Sequence, residues 1–158
     1  MGRGQGTPAG GADAAAEVTL PALLRAARTT YGSAIRSALV GVGCEDVPRN
    51  GIFVLGSIAR GGSPLGEIIA ALGVSKQTAG QLVDTLVVRG YLDRTPDAVD
   101  RRRLTVTLTE RGRMAASASR SAVERVDAAL TARVGAAALA ATRSTLGALI
   151  ELGADHGG

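Results

Sequence analysis

The chain has 158 residues, a formal net charge of +4 and a sequence pI near 10.2, which bounds it to one domain with short appendages and favours, weakly, a polyanionic partner. One cysteine excludes an intramolecular disulfide, and one cysteine with one histidine makes a metal site or a metal cofactor unexpected. No apolar run reaches the roughly 18 residues of a membrane span and no charged start leads into an apolar segment, so a cytoplasmic protein without membrane contact is expected.

Residues 1–16, MGRGQGTPAGGADAAA, lack apolar periodicity and read as a disordered tail. From about Leu20 to Val42, Leu24, Ala27, Tyr31, Ala34, Ile35, Ala38 and Val42 recur at steps of three and four, which predicts a first helix. The stretch GVGCEDVP breaks it. Asp46 is a candidate cap for a second helix with Pro48 in its first turn; this helix carries Ile52, Phe53, Leu55 and Ile58 and stops at Gly61-Gly62. Cys44 falls in the connecting loop beside Glu45 and Asp46, carboxylates that disfavour a thiolate, so it reads as a small apolar filler.

Ser63-Pro64 starts a short helix lined by Leu65, Ile68, Ile69 and Leu72, with Gly73 as its stop. Ser75 caps the next helix, Lys76 to about Arg89, whose buried face is Ala79, Leu82, Val83, Leu86 and Val87. Two short helices joined by a glycine-containing turn, LGVS, form a helix-turn-helix pattern. The second helix begins polar: Ser75, Lys76, Gln77, Thr78 and Gln81 share its first two turns, where a recognition helix meets base edges and phosphate. Gln77 and Gln81 lie four apart on one face; glutamine suits adenine, and Lys76 suits guanine or phosphate.

Tyr91–Thr95 reads as a strand, PDAVD as a turn led by Pro96 and Asp97, and Leu104, Val106 and Leu108 as the inward positions of a second strand. The hairpin turn carries Arg101, Arg102 and Arg103 behind Asp100. Of the 18 basic residues only Lys76 is a lysine, and from 75 to 113 there are eight basic residues against five acidic. Outside the hairpin the arginines read as compositional, in step with the abundant Ala and Gly. Three adjacent guanidinium groups repel one another unless carboxylates or a polyanion offset them; a ribbon tip of this kind suits the negative potential of a narrow minor groove. Thr109 then caps a long helix to about Val134 with Ala115, Ala122, Val123, Val126 and Leu130 on one stripe. Gly135 breaks it, and a last helix to about Leu152 sets Leu139, Thr142, Leu146 and Leu149 on one face. The end of the chain, with His156, reads as a frayed tail.

The stretch LGVSKQTAGQLVDTLVVRGYLDRTPDAVDRRRLTVTLTERGR resembles the DNA-binding core of the MarR (multiple antibiotic resistance regulator) family, closely over about residues 47–113 and architecturally elsewhere. The resemblance implies a mainly α fold with a small β-hairpin wing (α+β): a winged helix-turn-helix flanked by N- and C-terminal dimerisation helices. It also implies a homodimer, and an Asp-x-Arg pair in the wing, here Asp100 and Arg102, that supports the minor-groove contact. Small effectors in this family often bind between the dimerisation region and the DNA-binding lobe, which puts Tyr31 and Phe53 beside an effector pocket, although as residues both read better as plain core. The chain departs from the family at Gly80, where a serine or larger residue is common; glycine weakens a helix by about 1 kcal/mol relative to alanine and removes one phosphate contact.

The expected organisation is a tail over 1–16, an N-terminal dimerisation helix in 17–45, a winged helix-turn-helix in 46–108, C-terminal dimerisation helices in 109–153 and a tail over 154–158. The expected function is a sequence-specific transcriptional regulator, a repressor tuned by a small-molecule effector, binding double-stranded DNA at a pseudo-palindromic operator. A winged-helix module for protein–protein contact without DNA is the alternative reading. No paired carboxylates, Ser/His/Asp set or phosphate-binding glycine loop points to an enzyme or to a cofactor.

Overall fold

Ser75 and Thr109 both start helices by side-chain capping in the computed structural model of the chain, which describes residues 17–61, 75–96 and 104–155. Within those residues the order is α1 (Leu20–Val40), α2 (Gly51–Ala59), α3 (Lys76–Val88), β1 (Leu92–Pro96), β2 (Leu104–Leu108), α4 (Glu110–Val134) and α5 (Ala136–Asp155). The expected 1–16 tail, the short helix begun by Ser63-Pro64 and the hairpin turn lie outside the described residues.

Helix α1 packs along α4, α2 lies between α4 and α3, and the antiparallel β1–β2 ribbon continues from α3 into α4. One core joins these elements. Leu39 and Cys44 enter it from α1 and its exit loop, Val54 and Leu55 from α2, Val83 and Leu86 from α3, Tyr91 and Leu92 from the start of the ribbon, and Ala115 and Ala116 from α4. Tyr91, Leu55, Leu86 and Leu92 are its largest fully buried side chains. Burial of each such side chain is worth roughly 1.5–3 kcal/mol, which makes this junction the stable centre that carries the flanking helices. Cys44 is fully buried, as a small filler should be.

The regular part of α1 ends at Val40, two residues before the expected Val42. The amide N–H of Gly43 donates to Val40 O at 3.1 Å and that of Cys44 to Leu39 O at 2.9 Å, with Gly43 at φ +67°. This is a left-handed glycine stop, and it turns the chain sharply toward the core.

The expected cap of the second helix is not formed. Asp46 and Pro48 precede α2, which begins at Gly51 with Asn50 at the cap position and no side-chain cap bond. The Asp46 carboxylate is held instead by Tyr91 and Arg111. Pro48 closes a tight turn in which Gly51 N–H donates to its carbonyl at 2.8 Å.

Pro96, expected to lead the turn, is the last residue of β1 and pairs with Leu104, while Leu92 pairs with Leu108. Tyr91, expected to open the strand, sits in the bend before it. A proline is tolerated there because a two-stranded ribbon is all edge. Helix α4 has the expected bounds and ends at Gly135 with φ +85°. Helix α5 runs past the expected end at Leu152 to Asp155, into the segment read as a tail.

Candidate nucleic-acid interface

Helix α3 is built to hold its first two turns outward. Ser75 Oγ accepts from Thr78 N–H at 3.1 Å and lies 2.9 Å from Thr78 Oγ1, so both hydroxyls are committed to fixing the helix start. Ala79, Val83 and Leu86 are buried, and Leu82 and Val87 pack against the same core. The opposite face carries Ser75, Lys76, Gln77, Thr78 and Gln81, all exposed. Nothing lies within 4 Å of the position a Cβ would take on Gly80, so this glycine keeps the polar face open without serving an internal contact.

The far end of α3 is locked to the wing. Gly90, at φ +72°, donates its N–H to Val87 O at 2.9 Å, and Tyr91 N–H donates to Leu86 O at 2.9 Å. Such a stop satisfies the last carbonyls and fixes the angle at which the chain leaves the helix. Arg94 of β1 pairs with Asp84 of α3, tying ribbon to helix. Arg89 donates to the Asp46 backbone carbonyl.

Around Tyr91 the sequence reading missed a polar cluster. The Tyr91 hydroxyl donates to Asp46, Arg111 donates to the same carboxylate at 2.8 Å, and the Arg111 guanidinium also reaches Arg89 O at 2.7 Å. The Tyr91 hydroxyl and then the Arg111 charge hold the Asp46 carboxyl below the usual carboxylate range, against the opposing effect of desolvation. Burial and then the Asp46 hydrogen bond push the Tyr91 hydroxyl well above an ordinary phenol. Asp46 and Arg111 stand 65 residues apart, so no local spacing announces them.

Asp100, Arg101, Arg102 and Arg103 belong to the 97–103 connection, outside the described residues. Its two ends, Pro96 and Leu104, are paired across the ribbon.

Two cavities lie in the crease between α1, α2 and α4. One, about 730 Å³, is lined by Phe53, Gly56, Thr107, Leu108, Ser119 and Val123, among others. The other, about 650 Å³, is lined by Tyr31, Phe53, Ile35, Arg28, Arg36 and Arg49, among others. They share Ile35, Ile52, Phe53 and Val123 as a common wall. Tyr31 and Phe53 therefore meet at one cavity, and neither is plain core: Phe53 is 54% exposed and Tyr31 is half-buried. The Tyr31 hydroxyl donates to Asp127 at 2.5 Å, and this bond, then burial, raises its pKa. Arg28, Arg36 and Arg49, which composition alone gave no reason to single out, line the same space. Arg28 and Arg36 are eight apart, two helical turns, and that spacing was the available signal.

A capped, outward-facing polar helix locked to a two-stranded ribbon is the arrangement of a winged-helix protein. Residues 45–103 match the MarR family model. CouR from Rhodococcus jostii RHA1, solved bound to p-coumaroyl-CoA, is 28% identical over 80% of this chain and 88% of that one, with a TM-score of 0.58. Transcriptional regulator Tm0710 from Thermotoga maritima is 26% identical over 84% of this chain and 92% of that one, with a TM-score of 0.51. A MarR-family transcriptional regulator from Rhodococcus sp. RHA1, 24% identical over 80% and 89%, shares the fold with a TM-score of 0.60. No curated protein sequence matches the chain. The described residues share the winged-helix fold of these structures, and residues 45–103 are similar to the MarR family of transcriptional regulators.

Proposed function

We propose that the protein is a homodimeric, sequence-specific repressor whose operator affinity is set by a small-molecule effector. Helix α3 enters the major groove, Gln77 and Gln81 face base edges, and Lys76 with the Ser75–Thr78 turn meets phosphate or guanine. Arg101, Arg102 and Arg103 reach the adjacent minor groove, with Asp100 orienting Arg102. The observation that carries this reading is the exposed polar start of α3, held rigid by its cap at one end and its glycine stop at the other.

The dimer is supported by what the single chain leaves uncovered. Helix α5 buries only Leu139 among its described side chains, while Leu149 and Ile150 are 42% and 74% exposed. The first half of α1 is also exposed, with Leu20 at 49%. A long apolar extension of this kind needs a second surface, and a two-fold pair sets two copies of α3 about 34–36 Å apart, one DNA turn. Effector control is supported by the two cavities and by CouR, which was solved with an acyl-CoA bound.

Selection of bound duplexes from random sequence tests the proposal. The expected product is a pseudo-palindrome with half-sites one helical turn apart, bound by two chains in sedimentation. Retention of no duplex at low salt would refute it.

A further inference from the structure

The cavity lined by Tyr31 connects to the last helix through one carboxylate. Tyr31, on α1, donates its hydroxyl to Asp127 Oδ1 of α4 at 2.5 Å. Arg143, on α5, donates to Asp127 Oδ2 at 2.6 Å. Asp127 is thus the shared acceptor for a group on the cavity wall and a group on the helix that otherwise packs mainly on α4. The Asp127 side chain is 25% exposed and that of Arg143 is 64% exposed. An ion pair so open to water holds little by itself; the second donor on the carboxylate is what fixes its orientation.

The cavity also has a chemical preference. Ile35, Leu39, Val47, Ile52, Phe53 and Val123 give it apolar walls. Among the described residues, Arg28, Arg36 and Arg49 stand there against the carboxylate of Glu45. The complement of such a lining is an amphiphile with one anionic oxygen group and an apolar or aromatic body.

We propose that Asp127 couples occupancy of this cavity to the seating of α5: an anionic amphiphile drawn in by the arginines accepts the Tyr31 hydroxyl proton's hydrogen bond, leaves Asp127 to Arg143 alone, and loosens the last helix. The inference rests on the effector reading above and names both the ligand class and the route by which its presence reaches the dimer face. A ligand has this effect only because it competes for the donor that Tyr31 gives to Asp127; one that ignores Tyr31 binds without being felt at α5.

Amide hydrogen exchange over residues 136–152 of the full chain tests this. Tyr31→Phe and Arg143→Gln are each expected to speed exchange there by about fivefold, and the double variant to be no faster than Arg143→Gln, since both remove the same connection. Unchanged exchange in Tyr31→Phe, or effects that multiply in the double variant, would overturn the coupling.

The ligand probe is 4-phenylbutyrate, with neutral 4-phenylbutyramide beside it. The carboxylate at millimolar concentration is expected to raise exchange in the wild-type chain to the Tyr31→Phe level and to leave Tyr31→Phe unaltered. An equal effect of the amide, or none from the carboxylate, overturns the anion preference. Duplex binding is measured on the same samples: its loss everywhere would strike the DNA reading and leave the exchange result standing.

Discussion

The guanidinium of Arg111 lies 4.4 Å from the ring centroid of Tyr91 and holds the same Asp46 carboxylate that accepts the tyrosine hydroxyl. Arg111 opens α4, Tyr91 follows α3, and Asp46 follows α1. Three segments distant in sequence are therefore pinned by one cluster at the place where the wing departs.

Its response to acid follows from the carboxylate. Asp46 has a folded pKa below its ordinary 3.8, through the Tyr91 hydroxyl first and Arg111 next. A depressed carboxylate stabilises the fold fully above the unfolded value and ceases to do so as pH falls through the folded one. In urea titrations between about pH 5 and pH 3, the midpoint of the wild-type chain is expected to drop more steeply than that of Asp46→Asn. Parallel curves would remove Asp46 from the acid response.

Gly112 offers a sharper test of packing. A Cβ there would run into the carbonyl oxygen of Tyr91, with Leu108 Cδ2 at 3.1 Å behind it. Gly112→Ala is expected to cost about 2–3 kcal/mol in chemical denaturation, because neither backbone can give way. Gly80→Ala, placed where nothing lies within 4 Å, is expected to stabilise by about 0.5–1 kcal/mol. The two glycines differ in neighbours, so opposite signs are the result to look for.

The proposed DNA contacts separate by kind. Arg102→Ala is expected to weaken operator binding in mobility-shift titrations and to reduce the salt dependence, with the circular dichroism spectrum unchanged. Gln77→Ala is expected to lose discrimination at one base position, by about 1–3 kcal/mol, while binding to random duplex stays near its wild-type strength. An identical consensus from both chains would contradict the assignment of Gln77.

The last helix bears on assembly. Leu149→Asp puts a charge on its exposed apolar face, and sedimentation velocity is expected to show single chains at concentrations where the wild type pairs. Operator affinity should fall with it, since one reading head makes half the contacts. A fully paired Leu149→Asp sample would move the interface elsewhere.

Much of this architecture was legible from local chemistry. Ser75 and Thr109 announced helix starts, Gly90 and Gly135 announced stops, and alternation gave the second strand. Each signal concerns groups a few residues apart, where hydrogen-bond geometry is nearly fixed by the sequence. Asp46 misled for the same reason: acidic, near a proline and ahead of an apolar run, it had the marks of a cap. Its carboxylate went to Tyr91 and Arg111, partners that only the folded chain brings near. Tyr31 and Phe53 were placed beside one cavity by family likeness, yet their exposure belongs to a crease between helices that no single stretch encodes. The Tyr31–Asp127–Arg143 connection lay hidden likewise, its first two members being 96 residues apart.

The stop at Gly90, the bond from Tyr91 to Leu86, and the Asp84–Arg94 pair make α3 and the paired strands a single solid piece. Among the described residues, such a piece has no internal joint for a ligand to bend. On the proposed dimeric reading, control acts by altering how far apart, and at what angle, two of these pieces are carried. In such a pair a displacement of a few ångströms at the joined ends would suffice, because DNA offers its wide groove only once per turn on a given side.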